Sequence, residues 1–184
     1  MSTISDQPSH AGPAPPPKAV RSKLLFPLDG IDLTACAADE RKIAKINPHR
    51  HEMALLDRVV WHNDQFTRGV GLKRLREDEF WVKGHFPGKP MYPGVLMIES
   101  AAQLACYLYN SRQPCPQIAA FTRLDETVFR RSAAPGQELF ILCKEIKYSP
   151  RRFISAAQGL VDGQIAFEAK ITGMSLGDVE IDGD

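Results

Sequence analysis

The sequence lacks any apolar run long enough to span a bilayer, and its amino terminus lacks the charged segment and apolar core of a secretory signal. It also lacks a charge excess, because 23 basic and 22 acidic residues leave a net charge of +1. A protein that tracks nucleic-acid phosphates usually carries a clear basic excess. These absences predict a cytoplasmic protein with no membrane span and no nucleic-acid partner.

Cysteine is scarce, and no CxxC pair or mixed Cys/His spacing is present. The four cysteines are Cys36, Cys106, Cys115 and Cys143. We expect free thiols rather than disulfides or a zinc site, with Cys106 and Cys143 buried in regular structure. The short cluster of His49, His51 and Glu52 lacks the further ligands that a metal site needs. The sequence therefore predicts no metal and no cofactor.

Large apolar residues are nearly absent from residues 1–22, which contain five prolines. Such a composition cannot bury enough surface to offset the entropy of ordering the chain. We predict a disordered Pro-rich tail over residues 1–31, in which the apolar Leu24-Leu25-Phe26 can dock on the domain. A single domain then covers residues 32–176, and residues 177–184 form an acidic tail.

The most informative stretch is GHFPGKPMYPGVLMIESAAQ, residues 84–103. Three prolines and three glycines in its first eleven residues exclude regular structure there. Its second half predicts a helix that starts just after Pro93-Gly94 and is apolar nearly all the way round, which indicates burial on most sides. Glu99 and Gln103 lie four residues apart inside this apolar surface and so share one face.

A carboxylate in a buried helix must be paired, protonated or used, because burying a charge is costly. Two interpretations stay open from the residues alone. Glu99 is either a satisfied polar residue of the core, with His85 an ordinary loop residue, or the two form a reactive pair. Gln103 is likewise either a support for Glu99 or a core amide bonded to the backbone.

The rest of the chain predicts one further helix and mainly strands. Asp32 is a candidate cap for a helix over residues 32–46, which ends before Pro48. The predicted strands are residues 54–61, 66–73, 79–83, 117–124, 138–148, 153–161 and 164–172. Asp162-Gly163 between the last two is a strong hairpin signal. One long buried helix against an antiparallel sheet makes an α+β domain.

Three segments resemble signatures of the β-hydroxyacyl-(acyl-carrier-protein) dehydratases, a hotdog-fold family of type II fatty-acid synthesis. Residues 84–103 resemble the general-purpose FabZ branch, whereas the FabA dehydratase/isomerase branch has Asp where this chain has Glu99. Residues 47–59 resemble a Pro-His-Arg segment that closes with Asp-Arg-Val, and residues 128–139 resemble a Phe-Arg-Arg strand followed by Pro-Gly. His51-Glu52-Met53 replaces the usual Tyr-Pro-Phe, and Gln137 stands where Asp is commoner. The resemblance implies an antiparallel sheet wrapped around a central helix.

Removing water from a 3-hydroxyacyl thioester needs a base, an acid and a stabiliser of the thioester oxygen. His85 suits the base, since neutral imidazole is available near neutral pH. Glu99 suits the acid, since removal from water favours a protonated carboxyl group. The free backbone N–H groups of Gly94 and Val95 at the helix start suit the oxyanion, and Gly94 lets a substrate approach. The resemblance assigns the same roles to His85 and Glu99, completed across a dimer interface, and Gln103 matches its motif.

We therefore predict a cofactor-free 3-hydroxyacyl-(acyl-carrier-protein) dehydratase. Its partners would be an acyl carrier protein bearing a phosphopantetheine-linked acyl chain and further copies of itself, as a homodimer or a hexamer built as a trimer of dimers. The sequence leaves three alternatives: a hotdog thioesterase or coenzyme-A-linked hydratase, a dehydratase of a specialised lipid or polyketide pathway, and a non-catalytic acyl-carrier-binding relative. Arg130-Arg131 and Arg151-Arg152 are either docking residues for the acidic carrier or solvated surface charges.

Overall fold

The computed structural model describes residues 23–179 and shows one seven-stranded antiparallel sheet with a long helix packed against it. The strands are β1 (Ala38–Asp39), β2 (Arg58–His62), β3 (Arg68–Arg74), β4 (Gln117–Phe129), β5 (Glu138–Ser149), β6 (Arg152–Val161) and β7 (Gln164–Asp178), in the order β1-β2-β3-β5-β6-β7-β4. The helices are α1 (Glu40–Ala44), a 3-10 turn (His51–Met53) and the long α2 (Gly94–Asn110). This architecture confirms the predicted α+β class. No helix in the described range is long and apolar enough to pass through a bilayer.

Helix α2 begins at Gly94, directly after Pro93, as the sequence predicts. Its carboxy-terminal half is buried throughout, from Gln103 to Asn110. The amino-terminal half differs from the expectation of an all-round buried helix, because Val95 is 73% exposed and the Glu99 side chain keeps 23% of its surface. Positions three and four apart share one face of a helix, so Val95 and Glu99 form one outward stripe in the single chain.

The hairpin between β6 and β7 is confirmed. Val161 pairs with Gln164, and the two residues between them have positive φ angles, +51° at Asp162 and +70° at Gly163. A two-residue turn with this geometry matches the twist of the flanking strands, and Gly adopts it without strain.

Two local predictions are wrong. Residues 79–83 form turns rather than a strand, and the seventh strand is the short β1. The first helix covers only Glu40–Ala44 and is capped by Asp39, whose side chain accepts from the Lys42 N–H. Asp32 instead accepts from the backbone and hydroxyl of Thr34, a local turn that competes with helix formation.

Residues 24–33 pack on the outer face of the sheet, so the expected docking of Leu24-Leu25-Phe26 is confirmed and the boundary expected at residue 32 lies too late. Phe26 is 4% exposed and joins the outer cluster, which contains Val70 and Leu142. The Leu25 N–H donates to Gln158 Oε1 at 2.6 Å, which fixes the segment on β6. At the other end β7 extends to residue 178. The remaining predicted tail residues, 1–22 and 180–184, lie outside the described residues.

The predicted burial of two free cysteines is confirmed. Cys106 in α2 and Cys143 in β5 are free and buried. Burial raises the pKa of each thiol to about 12, because it disfavours the thiolate.

Candidate active site

A loop of turns between β3 and α2 carries His85 and fixes its protonation pattern. The His85 N–H donates to the Trp81 carbonyl oxygen at 2.8 Å, and the Met91 N–H donates to the His85 carbonyl oxygen at 2.7 Å. The His85 Nδ1 lies 2.7 Å from the Met91 carbonyl oxygen. A carbonyl oxygen can only accept, so Nδ1 carries the proton and the neutral ring has its lone pair on Nε2. An imidazole in this state can take a proton at Nε2.

Glu99 is held through one of its two oxygens. Gln103 Nε2 donates to Glu99 Oε1 at 2.9 Å, and His49 Nε2 lies 3.5 Å from the same oxygen. Glu99 Oε2 has no partner within residues 23–179. Burial lowers the pKa of His49 and Arg50 lowers it further, while the Glu99 carboxyl group opposes both. Oε2 is thus the Glu99 oxygen that remains available for a hydrogen bond.

Gln103 combines the two roles that the sequence left open. It is 2% exposed, its Nε2 also donates to the Met53 carbonyl oxygen at 2.7 Å, and its Oε1 accepts from the Leu55 N–H at 2.9 Å. It is therefore both a core amide bonded to the backbone and a support for Glu99. Met53 belongs to the segment in which this chain departs from the usual Tyr-Pro-Phe, so that segment still contributes through its backbone.

The start of α2 presents backbone donors. The N–H groups of Gly94 and Val95 have no acceptor in the part of the chain that the structure describes, and Pro93 offers no side-chain cap. The Phe129 ring lies so close to Gly94 that a Cβ at this position would be 2.9 Å from Phe129 Cε1. A side chain at this position would therefore displace the half-exposed Phe129 ring, and glycine leaves the helix start open. Free N–H groups at a helix start, with the helix dipole, favour a developing negative charge.

A cavity of about 590 Å³ brings together three of the five predicted site residues, His85, Gly94 and Val95. Glu99 and Gln103 do not line it. Between residues 23 and 179, no hydrogen bond or ion pair joins His85 to Glu99. Within one copy of the chain, His85 and the free N–H groups at the start of α2 share a cavity, whereas Glu99 is bonded to Gln103 and does not line that cavity.

Two arginines considered for docking line the same cavity. Arg130 donates to Glu168 Oε2 through Nε at 2.8 Å and Nη2 at 2.5 Å, and Arg131 Nη2 donates to Gln164 Oε1. Both side chains thus have partners on β7 while remaining exposed at the cavity mouth.

Two residues near the site are not among the candidates that the sequence predicts. His49, part of the cluster considered for a metal, contacts Glu99 and lines a second cavity of about 190 Å³ with Gln103. Its place in the Pro-His-Arg signature was the available signal. Phe129 closes the helix start against Gly94, and it ends a strand that was predicted to stop at residue 124.

Comparisons with known proteins identify the family of this chain. The FabA-like domain family matches residues 47–170. A 3-hydroxyacyl-[acyl-carrier-protein] dehydratase FabZ of Polynucleobacter necessarius is 36% identical over 140 residues, which are 76% of this chain and 93% of the relative. A protein of the same name from Geotalea uraniireducens is 37% identical over 137 residues, which are 72% of this chain and 93% of that relative.

Among solved structures, the dehydratase heterocomplex ApeI:P from Xenorhabdus doucetiae superposes with a TM-score of 0.65 at 13% identity, over 73% of this chain and 91% of that one. This likeness identifies the hotdog fold. The relatives, the domain match and the fold agree, and the chain belongs to the FabA-like family, with FabZ dehydratases among its relatives.

Proposed function

We propose that this protein is a 3-hydroxyacyl-[acyl-carrier-protein] dehydratase, a hydro-lyase that converts (3R)-3-hydroxyacyl chains into trans-2-enoyl chains while they remain on the carrier. Relatives of that name are 35–37% identical over most of the chain. The observation that carries the proposal is the His85 ring, whose Nδ1 bond to Met91 leaves Nε2 free as a base beside the donors of the α2 start.

In the proposed reaction, His85 Nε2 takes the proton from the carbon next to the thioester carbonyl. The N–H groups of Gly94 and Val95 stabilise the negative charge that builds on the thioester oxygen. Glu99 Oε2 gives its proton to the leaving hydroxyl, which departs as water. The step leaves His85 protonated and Glu99 ionised, and exchange with solvent restores both. Gln103 keeps the Glu99 carboxyl group oriented through Oε1.

We further propose that His85 and Glu99 meet across a homodimer. Strand β4 forms one edge of the sheet, is 13 residues long and is unpaired on its outer side in the single chain. It carries exposed apolar residues along its length: Ile118, Phe121, Leu124, Val128 and Phe129. A long apolar edge strand is a site for pairing with another chain. A second copy around a two-fold axis would cover this edge and bring its own Glu99 toward the His85 cavity.

The activity test follows turnover of a 3-hydroxyacyl chain on acyl carrier protein by mass spectrometry. We expect the unmodified protein to remove one water from the carrier-bound chain, and Glu99→Gln to leave it intact. Release of a free acid would instead identify a thioesterase. Binding of the acyl carrier with no change of mass would identify a non-catalytic relative.

Mixing two inactive variants tests the dimer. In a heterodimer of His85→Ala and Glu99→Gln subunits, one site contains both substitutions and the other contains neither. Random exchange of subunits should therefore restore about a quarter of the unmodified activity. No recovery, with heterodimers demonstrated by native mass spectrometry, would place both residues of each site in one subunit.

A further inference from the structure

A buried ion pair lies beside the site and has no role in the proposed proton transfers. Lys73 Nζ, at the end of β3, is 2.8 Å from Glu79 Oε1, and the two side chains keep only 2% and 7% of their surface. Taking two charges out of water is costly, and apolar residues of the same volume often give equal or greater stability. The pair therefore calls for an explanation other than stability alone.

The Glu79 carboxylate is bonded to three donors. Besides Lys73, the Arg76 backbone N–H donates to Oε1 at 3.0 Å, and Trp81 Nε1 donates to Oε2 at 3.0 Å. Burial alone would raise the pKa of Glu79, but these bonds outweigh it and hold the pKa below its ordinary value. The carboxylate thus holds the Nε1 edge of the Trp81 indole in place relative to β3.

Trp81 connects this anchor to the base. Its carbonyl oxygen accepts from the His85 N–H at 2.8 Å and from the Gly84 N–H at 3.1 Å. Its ring meets the Tyr92 ring edge-on, with centroids 5.2 Å apart. The Tyr92 hydroxyl lies 3.0 Å from Ser100 Oγ on α2. One chain of contacts therefore runs from the Lys73 ion pair through Trp81 to both ends of the loop that carries His85.

We propose that Lys73 and Glu79 are positioning residues that set the place and tautomer of the His85 ring through Trp81. This inference rests on the proposed function, since His85 is the base there. Two apolar side chains would fill the same space but would leave Trp81 Nε1 without its acceptor. The loop would then shift relative to β3. A displacement near 1 Å in a catalytic group can lower a rate by about a hundredfold.

The decisive variant is Lys73→Met/Glu79→Leu, which removes both charges and so leaves none unpaired. Arg112→Met/Glu145→Leu is the control for removing an ion pair away from this loop, because Arg112 Nη1 and Glu145 Oε2 form a 2.5 Å pair just beyond the far end of α2, with 23% and 22% of their side-chain surface exposed. We expect the first variant to lose about ten- to a hundredfold in kcat with little change in KM. The control should keep kcat, and urea unfolding of the first variant gives the folded fraction by which its kcat is corrected.

A readout independent of turnover is the nitrogen-15 NMR spectrum of the His85 ring in the substrate-free protein. The unmodified protein and the control should show the single Nδ1–H tautomer, and Lys73→Met/Glu79→Leu should show a mixture. Trp81→Phe provides a second variant that keeps the ion pair and the ring contact with Tyr92 but removes the donor to Glu79. It should lower kcat by a smaller factor and mix the tautomers.

The inference is overturned if either variant keeps the unmodified kcat and tautomer, or if the loss appears in KM alone. It is also overturned if kcat falls only in proportion to the folded fraction. Failure of the proposed function has a different signature, because the unmodified protein would then leave 3-hydroxyacyl carrier substrates unchanged. The NMR result would still report whether Lys73 and Glu79 position His85.

Discussion

Replacing Gln103 by leucine should weaken both the fold and the acid. The substitution keeps the approximate volume and removes all three hydrogen bonds of the amide. The buried Leu55 N–H then loses its acceptor at a cost of about 1–3 kcal/mol, and the Met53 carbonyl loses its donor at about 1 kcal/mol. We expect the free energy of unfolding to fall by about 2–4 kcal/mol, which lowers the thermal midpoint by about 4–16 °C.

The same substitution should reduce turnover without abolishing it. Glu99 would lose its 2.9 Å donor and keep only His49, 3.5 Å from the same oxygen. A hydrogen bond worth about 1–1.5 kcal/mol corresponds to about a tenfold loss in kcat. Glu99→Gln removes the proton donor itself and should cost about a hundred- to ten-thousandfold.

Asn110 offers a matched control on the same helix. Its Nδ2 donates to the carbonyl oxygens of Ile46 at 2.9 Å and Gln117 at 3.1 Å, and its Oδ1 accepts from the Gln117 N–H at 3.3 Å. Asn110→Leu should lose comparable stability and keep kcat. The assays are urea unfolding and steady-state turnover of a 3-hydroxyacyl carrier substrate. The reasoning fails if Gln103→Leu keeps full kcat, if it is as inactive as Glu99→Gln, or if Asn110→Leu loses as much activity.

Three further outcomes follow from the described contacts. Gly94→Ala should lower kcat by roughly tenfold, because its Cβ displaces the Phe129 ring at the helix start, and Gly94→Ala/Phe129→Leu should recover part of it in the same turnover assay. Phe26→Ala should lower the free energy of unfolding by about 3 kcal/mol in urea, since this ring is buried on the outer face of the sheet. The unmodified protein should be more stable than Glu79→Gln, with the full difference present above pH of about 4.3, the ordinary pKa of a glutamate in the unfolded chain. The difference should shrink as the pH falls below that value, because the folded protein has a lowered Glu79 pKa and protonates this carboxylate only at lower pH.

Each of these outcomes has a clear contrary result. Unchanged kcat in Gly94→Ala would show that the Phe129 ring moves without disturbing the oxyanion donors. An unchanged urea midpoint in Phe26→Ala would mean that residues 24–33 contribute nothing to the fold. If the difference in stability between the unmodified protein and Glu79→Gln grows as the pH falls, the pKa of Glu79 is not lowered by folding.

Several features were predictable because their causes are local. Pro93 has no N–H and a fixed φ, and a helix beginning at Gly94 uses both properties. Asp162-Gly163 contains the residue types that a two-residue hairpin turn requires. The type of fold followed from one apolar helix among strand-like segments. The helix start and the hairpin each depend on residues within a few positions of one another, and the fold class depends on the order of such local segments along the chain.

The errors have distant causes. Residues 79–83 contain three consecutive strand-favouring residues, Phe80, Trp81 and Val82, but the Glu79 side chain pairs with Lys73, and this contact exists only once β3 is in place. Residues 24–31 follow the Pro-rich segment, and the sequence assigns them to the tail for that reason. Their apolar side chains pack on the outer face of the sheet, against residues of β2, β3, β5 and β6. Composition alone cannot show that such a face is available.

The chemical groups are already visible in the sequence, as a histidine in an irregular loop and a carboxyl group with an amide one turn later on a helix. Their hydrogen-bond partners depend on the fold. It placed the Met91 carbonyl oxygen so that the His85 ring keeps its Nε2 lone pair, and it brought Leu55 to Gln103 across 48 positions of the chain. It also left His85 and Glu99 without a hydrogen bond or ion pair between them within residues 23–179 of one copy. The physical reason is that hydrogen bonds and packing act over a few ångströms, and the fold alone sets which distant residues come within that range.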